Sequence, residues 1–542
     1  MRCEKFILLP VFISILISLP AVSQARQTKS EHLLKREIAF IVKRSGYPRT
    51  IKAIEIYSRR HKKTIYQSYS GLLLHPASNL KIVTTSCALQ SLGDNYNFKT
   101  KFEISGVLKA DTLFGNLIAV GGGDPILSDA DLDSSAKMIS ESGIKYVEGN
   151  LVVDISKFDS LQWGNGWMWD DEPASFAMFI SPACLDHNSI TVNISVDSTG
   201  GRLVANTQPK TNFVKIVCSA VPDSTDSLYV TRTFANDTNT IFVSGTYSHH
   251  LSPSNYDFSV RHPAHYFGSV LKESLEKYGV KIAGNLAVKR YYTGTDTIGS
   301  AIPQTKNVFT FEHSIDTVIT YTNKVSDNLG AECFLREVAA EIAGEIGSAE
   351  NGIKIEKGFL EQCGVDSTEY YIVDGSGVSH YDLITPEAIV KVLNHMLDQP
   401  TKQIFIHSLP IAGVDGSLQN RMTEKFVAGK VFAKTGSISG VSTLSGYVFL
   451  PRDTLVFSMM MQNFIASGNS MRVLQDSLCT VLSQYNDNVR VFARNLRRYK
   501  IGTYGLVRHR YVRHKSRGSA IKTEKNVTPL KKSPQNPAVD IR

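Results

Sequence analysis

Tryptophan is scarce in this chain, three residues in 542, and so is charge, at 20% against 42% apolar residues. That balance excludes a wholly disordered protein, which cannot bury enough apolar surface to order itself. The length exceeds one core, so three or four domains are expected. Seven cysteines are present, with no Cys-x-x-Cys pair and no His/Cys cluster at zinc spacing, so neither a metal nor a cofactor is expected. Their wide spacing identifies no disulfide partner. No internal repeat is visible. Past the N-terminus no apolar run is long enough to span a membrane.

A nucleic-acid partner is also excluded, although the formal charge is +9. From Arg490 to Arg542 there are 15 Lys and Arg against 2 acids, a net +13 that leaves the preceding residues at −4. The basicity belongs to a tail, not to a DNA-binding body.

What is present begins with an export signal. Arg2 and Lys5 precede an apolar run from Phe6 to Leu19, and Ala21-Val22-Ser23-Gln24-Ala25 follows, with cleavage expected after Ala25 or Ser23. Pro10 interrupts the run, which argues against an uncleaved anchor. Residues 1–25 are read as a signal peptide and the mature protein as periplasmic.

The spacing predicts a helix over 31–44, a hairpin of strands over 53–57 and 64–69, and a helix from Ser78 to Leu92 stopped by Gly93. Short β-like runs dominate from about 97 to 264, and a helix over 265–278 follows. Residues 431–464 read as three strands, with turns at 436–440 and 451–453. Helix and strand at both ends around a β-rich middle predict an α/β domain split by an insertion. The expected boundaries are 26–96 and 306–489 for the outer domain, 97–305 for an insertion of two subdomains, and 490–542 for a basic disordered tail.

Three short motifs carry the chemistry. In Ser78-Asn79-Leu80-Lys81 the helical i, i+3 spacing puts an amine beside a hydroxyl, and a serine needs such a base to become a nucleophile. The pattern alone is weak, because it recurs at Ser134, Ser142, Ser269, Ser274 and Ser519. Context singles out Ser78: its helix is apolar or small on nearly every side, so Lys81 points inward, where burial favours a neutral amine. The second motif is Ser326-Asp327-Asn328. The third, Lys434-Thr435-Gly436, occurs once, at the end of a strand-like run, with Gly436 allowing close backbone approach.

The ordered set resembles the penicillin-binding and serine β-lactamase superfamily, an antiparallel sheet with helices on its faces. The 248 positions between Ser78 and Ser326 are similar to the large insertion of the class C low-molecular-mass penicillin-binding proteins, the S13 family of D-alanyl-D-alanine carboxypeptidase/endopeptidases. Gly121-Gly122-Gly123-Asp124-Pro125, Asp374-Gly375-Ser376-Gly377 and the run from Leu409 to Ser417 agree with it, and the likeness covers about residues 30–485.

The resemblance implies an acyl-enzyme on Ser78, with Lys81 as general base held neutral partly by the charge of Lys434. Ser326 would relay a proton to the leaving amine, and Asn328 would bind the substrate amide and orient Lys81. Lys434 and Thr435 would hold the terminal carboxylate, and the amides of Ser78 and Ser437 would form the oxyanion hole. Asp171, in the aromatic segment from Trp167 to Phe176, would meet the third residue of the stem peptide. His380 stands where some members carry Arg. Tyr321-Thr322-Asn323 also fits the Tyr-x-Asn triplet of class C β-lactamases, but Ser326-Asp327-Asn328 is preferred and Tyr321 is read as structural.

The implied partners are peptidoglycan stem peptides and β-lactam antibiotics, with wall polymer or anionic membrane as electrostatic partners of the tail. A serine β-lactamase and a non-catalytic wall-binding protein are the rival readings; persistence of a penicillin adduct separates the first, and labelling lost with Ser78 the second.

Overall fold

The computed structural model describes residues 29–497 apart from 199–200, 233–237, 292–303 and 466. The signal segment and the tail past 497 lie outside the described residues.

Five antiparallel strands form the central sheet, in the order Val431–Ile438, Val441–Leu450, Asp453–Gln462, Ile51–Ser58, Lys63–Ser68. The N-terminal hairpin therefore joins the end of the chain, with Ile51 opposite Gln462. Alternation along the strands feeds two cores. Ala53, Val456 and Met460 pack under the helices Lys81–Leu92, Asn328–Ala343 and Pro386–Met396. Ile54, Met459 and Met461 pack on the other face, against helix 29–44 and the helix Gly468–Leu482. A sheet buried on both faces explains why Thr454 to Met461 reads as one nearly unbroken apolar run. The first of the two turns joining these C-terminal strands falls at 439–440, because Lys434-Thr435-Gly436 stays within the strand Val431–Ile438 and does not turn out of it.

The insertion leaves after Gly93, whose φ of +81° ends the helix where an L-residue would be strained. Its first two strands, Asn97–Lys109 and Thr112–Val120, pair antiparallel in a seven-stranded sheet. A three-stranded and a four-stranded sheet follow, but one contiguous apolar cluster, including Phe102, Leu151, Val192 and Val243, joins all three.

Two expected boundaries move. The strand Lys306–Ser314 pairs with Asn97–Lys109, so the inserted sheet extends to Ser314, where backbone pairing and not composition sets the limit. The tail begins later than 490: helix 489–497 buries Phe492 and Leu496 in the core beside Leu34. A helix absent from the sequence reading, Asp129–Glu141, starts on a capping box in which Ser128 and Asp131 satisfy each other's backbone amides.

Candidate active site

The nucleophile motif sits on a tight turn, Ala77–Leu80, that runs directly into the helix Lys81–Leu92. Ala77 has φ +46°, a conformation that costs a non-glycine residue roughly 1–3 kcal/mol and that the surroundings must enforce. The enforcement is steric and polar. The Thr443 hydroxyl donates to the Pro76 carbonyl (2.9 Å), and the Asn79 amide lies 2.6 Å from the Ser445 hydroxyl. Gly436 passes so close that a Cβ there would sit 3.0 Å from the Ser78 amide nitrogen and 2.2 Å from the Thr443 hydroxyl oxygen. The third motif's glycine therefore serves the contact between its strand and the nucleophile turn.

Lys81 is fully buried. Its Nζ lies 3.1 Å from Ser78 Oγ, 2.6 Å from Asn328 Oδ1 and 2.7 Å from the Ser376 carbonyl. Burial lowers its pKa to about 8, while Asp374, Asp327, Glu332 and Asp382 pull it upward. Desolvation is the leading cause that favours the neutral amine. Lys434 is pushed well below its ordinary value by burial first and by Lys81 second, and that repulsion, being mutual, also favours a neutral Lys81.

Ser326 ends the helix Ile315–Val325 in the left-handed region, φ +66°. Asp327 then caps the next helix, accepting from the Gly330 amide (2.7 Å), so the second motif is a helix–helix corner. Lys434 Nζ donates to Ser326 Oγ (2.8 Å) and to the Thr435 carbonyl (3.0 Å). Ser326 is thus bonded to the lysine of the third motif, with no recorded bond to Lys81.

A cleft of about 310 Å³ opens over these groups, lined by Ser78, Ser326, Thr435, Gly436, Ser437 and Ser442, with Ser417, Arg421 and Arg472. Ser417 bonds Thr435 through their hydroxyls (2.7 Å). The two arginines were not singled out in the sequence, since neither lies in a motif. Arg421 is held by Asp476 (2.7 Å) and Gln475 (3.1 Å), whereas Arg472 is exposed. The strand carrying the third motif is the edge of the sheet, and its outer side bonds Pro410 and Ala412 up to Ala433.

The insertion reaches this centre through contacts the sequence reading did not anticipate. Asn328 Nδ2 donates to the Phe176 carbonyl (2.7 Å), and Trp167 Nε1 donates to Asp374 Oδ2 (2.8 Å). Asp374 in turn accepts from the amides of Ser376, Gly377 and Ser379, shaping the loop whose Ser376 carbonyl holds Lys81. His187 stands in a left-handed stretch with Asp186 and Asn188, stacks on Tyr321 at 4.9 Å between centroids, and lies 3.5 Å from Asp327. Tyr321 is accordingly a packing partner.

Asp171 is not among the residues lining the cleft; its carboxylate caps a short turn by accepting from the Met168 amide (3.1 Å). The neighbouring Trp169 and Phe176 side chains are 72% and 50% exposed. His380 is exposed and lies edge-on to His75, 6.0 Å between centroids. Among the described residues no group of three or more His, Cys, Asp or Glu side chains is placed to hold a metal ion.

Comparison with known proteins follows this geometry. The profile of the D-Ala-D-Ala carboxypeptidase 3 (S13) family matches residues 34–485. A D-alanyl-D-alanine carboxypeptidase of Actinomadura sp. (strain R39) is 28% identical over 504 residues, 89% of this chain and 90% of its own. The D-alanyl-D-alanine carboxypeptidase DacB of Haemophilus influenzae is 26% identical, over 76% of this chain and 85% of its own. The crystal structure of penicillin binding protein 4 from Haemophilus influenzae superposes with a TM-score of 0.71 at 23% identity, covering 83% of this chain and 99% of that one. The fold is the one seen there.

Proposed function

The chain belongs to the D-Ala-D-Ala carboxypeptidase 3 (S13) family, and from that premise we infer how its cleft performs serine DD-peptidase chemistry. The enzyme is a serine-type D-Ala-D-Ala carboxypeptidase that acts on peptidoglycan and reacts with penicillins. One observation carries the assignment of roles: a fully buried lysine amine 3.1 Å from a serine hydroxyl at the floor of a cleft.

Ser78 Oγ attacks the carbonyl between the two D-alanines as Lys81 Nζ takes its proton. The oxyanion that forms is met by the backbone amides of Ser78 and Ser437, each worth about 3–4 kcal/mol in comparable hydrolases. Ser326 relays the proton that Lys81 took from Ser78 to the leaving amine, and its bond to Lys434 positions its hydroxyl. Asn328 orients Lys81 through Oδ1 and keeps one amide hydrogen for the substrate carbonyl, the other being engaged by Phe176. Lys434 and Thr435, with Arg472 at the rim, favour a terminal carboxylate. Water then releases the acyl group. An extended peptide adds along the outer edge of the third-motif strand beyond Ala433.

Asp171, with Trp169 and Phe176, fits the third residue of the stem peptide; the exposed rings and the acid beside them support it. We also read 29–96 with 315–497 as the peptidase domain and 97–314 as the insertion. Export to the periplasm rests on the order of charged, apolar and small residues over 2–25; no helix among the described residues is long and apolar enough to cross a membrane. The basic tail is assigned to wall polymer or anionic lipid.

Ser78→Ala tests the reading. It should abolish labelling by a fluorescent penicillin and release of D-alanine from muropeptides while the fold is retained, and Ser134→Ala should label normally. A covalent adduct on the Ser78→Ala protein would refute the assignment. Slow release of the wild-type adduct is the expected behaviour, and rapid turnover would instead identify a β-lactamase.

A further inference from the structure

Six cysteines fall among the described residues, and one pair of their sulfurs is recorded in contact: Cys184 Sγ lies 3.8 Å from Cys333 Sγ, both side chains buried. The two come from different parts of the molecule, 149 positions apart. Cys184 belongs to the inserted segment that also carries Trp167 and Phe176. Cys333 lies on the helix Asn328–Ala343, five residues after the active-site Asn328. Around them Trp167, Ala177, Met178 and Ile180 of the insertion pack with Leu329 and Val378 of the peptidase domain in one apolar cluster.

We propose that Cys184 and Cys333 form a disulfide that fastens the insertion to the helix bearing Asn328. The inference rests on the export reading for its oxidising surroundings. A disulfide needs its sulfurs about 2.05 Å apart, so roughly 1.8 Å of closure is shared between two flexible side chains. The chemistry balances by thiol–disulfide exchange: the two thiols give up two protons and two electrons, and the disulfide of a thiol oxidant is reduced to a dithiol. Cys184 Sγ otherwise donates to the Ser181 carbonyl (2.9 Å). Burial holds the Cys333 thiol well above its ordinary value, so the exchange belongs to folding, before the cluster closes; once closed, the same burial keeps reductants out.

The consequence concerns catalysis. Phe176, whose carbonyl accepts from Asn328 Nδ2, lies eight residues before Cys184. A bridge would fix both ends of that hydrogen bond, and with it the carboxamide that holds Lys81.

The full chain, refolded with oxidised and reduced glutathione, is denatured with N-ethylmaleimide and digested without reductant. The expected product is a peptide pair linked through Cys184 and Cys333, with no maleimide on either. Maleimide on both would overturn the proposal. Wild type reduced with a dithiol while unfolded and then refolded in its presence should have a Tm several degrees lower, and the Cys184→Ser, Cys333→Ser and double variants should share that lower Tm and ignore the dithiol. Losses that add up in the double variant would mean two independently packed thiols and would also overturn it. Penicillin labelling is scored in parallel. A bridged protein that never labels would sink the peptidase reading and leave the disulfide standing.

Discussion

Acylation of Ser78 should follow the titration of Lys81. At its ordinary value of 10.5 a lysine is neutral in about one molecule in three thousand at pH 7; at about 8 the share becomes roughly one in eleven. The lowering from 10.5 to about 8, in which burial outweighs the nearby carboxylates, favours the basic form by about 3.4 kcal/mol, at ~1.36 kcal/mol per pH unit. The sign is fixed by the chemistry: the base works deprotonated, so the rate rises with pH until Lys81 is neutral. The expected increase is about tenfold from pH 6 to 7, about fivefold from 7 to 8, and less than twofold from 8 to 9. The assay is the second-order rate constant for fluorescent-penicillin labelling across pH 6 to 9. Lys81→Arg pins the cation at every pH and should leave labelling negligible throughout. A flat profile, a midpoint near 10.5, or wild-type labelling of Lys81→Arg would refute the argument.

Lys434→Ala should slow acylation by substrates with a free terminal carboxylate, by up to a few kcal/mol in the barrier; amidating that carboxylate should then cost the wild type heavily and the variant little more, and equal sensitivity would count against a carboxylate-binding role. Glu356, buried on the helix Ala349–Gln362, has its carboxyl pushed up to about 8 by burial, above the 4.5 of an unfolded chain. The native state then holds a proton the unfolded state has lost, so stability is complete below about pH 4.5 and declines as pH rises through 8. Glu356→Gln should flatten that decline by up to a few kcal/mol, read as a Tm advantage that grows from pH 5 to 8; a constant difference would contradict the linkage. Truncation after Arg497 should leave turnover of soluble substrates unchanged while reducing sedimentation with anionic vesicles at low salt. Truncation after Asn488 should also cost on the order of 3 kcal/mol or more, because it empties the positions of Phe492 and Leu496; equal vesicle binding by full and shortened chains would remove the tail's electrostatic role.

Much of the centre was legible because its chemistry is written in side chains. Ser78 and Lys81 stand at a fixed i, i+3 spacing, kept where the turn Ala77–Leu80 runs into the helix, and the apolar run around them marks the burial of Lys81. The third-motif strand was legible from its neighbours, although its glycine turned out to clear the nucleophile turn. What stayed hidden depends on backbone atoms and distant pairing. The acceptor for Asn328 is the carbonyl of Phe176, a group every residue has, so no letter marks it. His187 reaches Asp327 from a left-handed stretch that no glycine advertises. The limit of the insertion was missed because Lys306–Ser314 alternates like any exposed strand, and only pairing with Asn97–Lys109 reveals its sheet. Helix 489–497 was hidden by charge, with Arg490, Arg494 and Arg497 masking two anchoring side chains.

The position of the N-terminal hairpin sets the order in which this enzyme can come into being. Ile51–Ser58 lies between Lys63–Ser68 and Asp453–Gln462, so its second neighbour is made some four hundred residues later. During synthesis from the N-terminus, Ser78 and Lys81 emerge early, with no strand to brace their turn and no Lys434 to complete the cleft. The insertion has its own sheets and its own apolar cluster, and its pairings are closed by Ser314. It can therefore condense while the peptidase sheet still waits, as units of large chains tend to do. Closing the peptidase sheet is a long-range step, slow by its topology. The nascent chain is consequently latent: it carries the nucleophile for most of its synthesis, yet cannot cut a wall until Val431–Ile438 has arrived and docked.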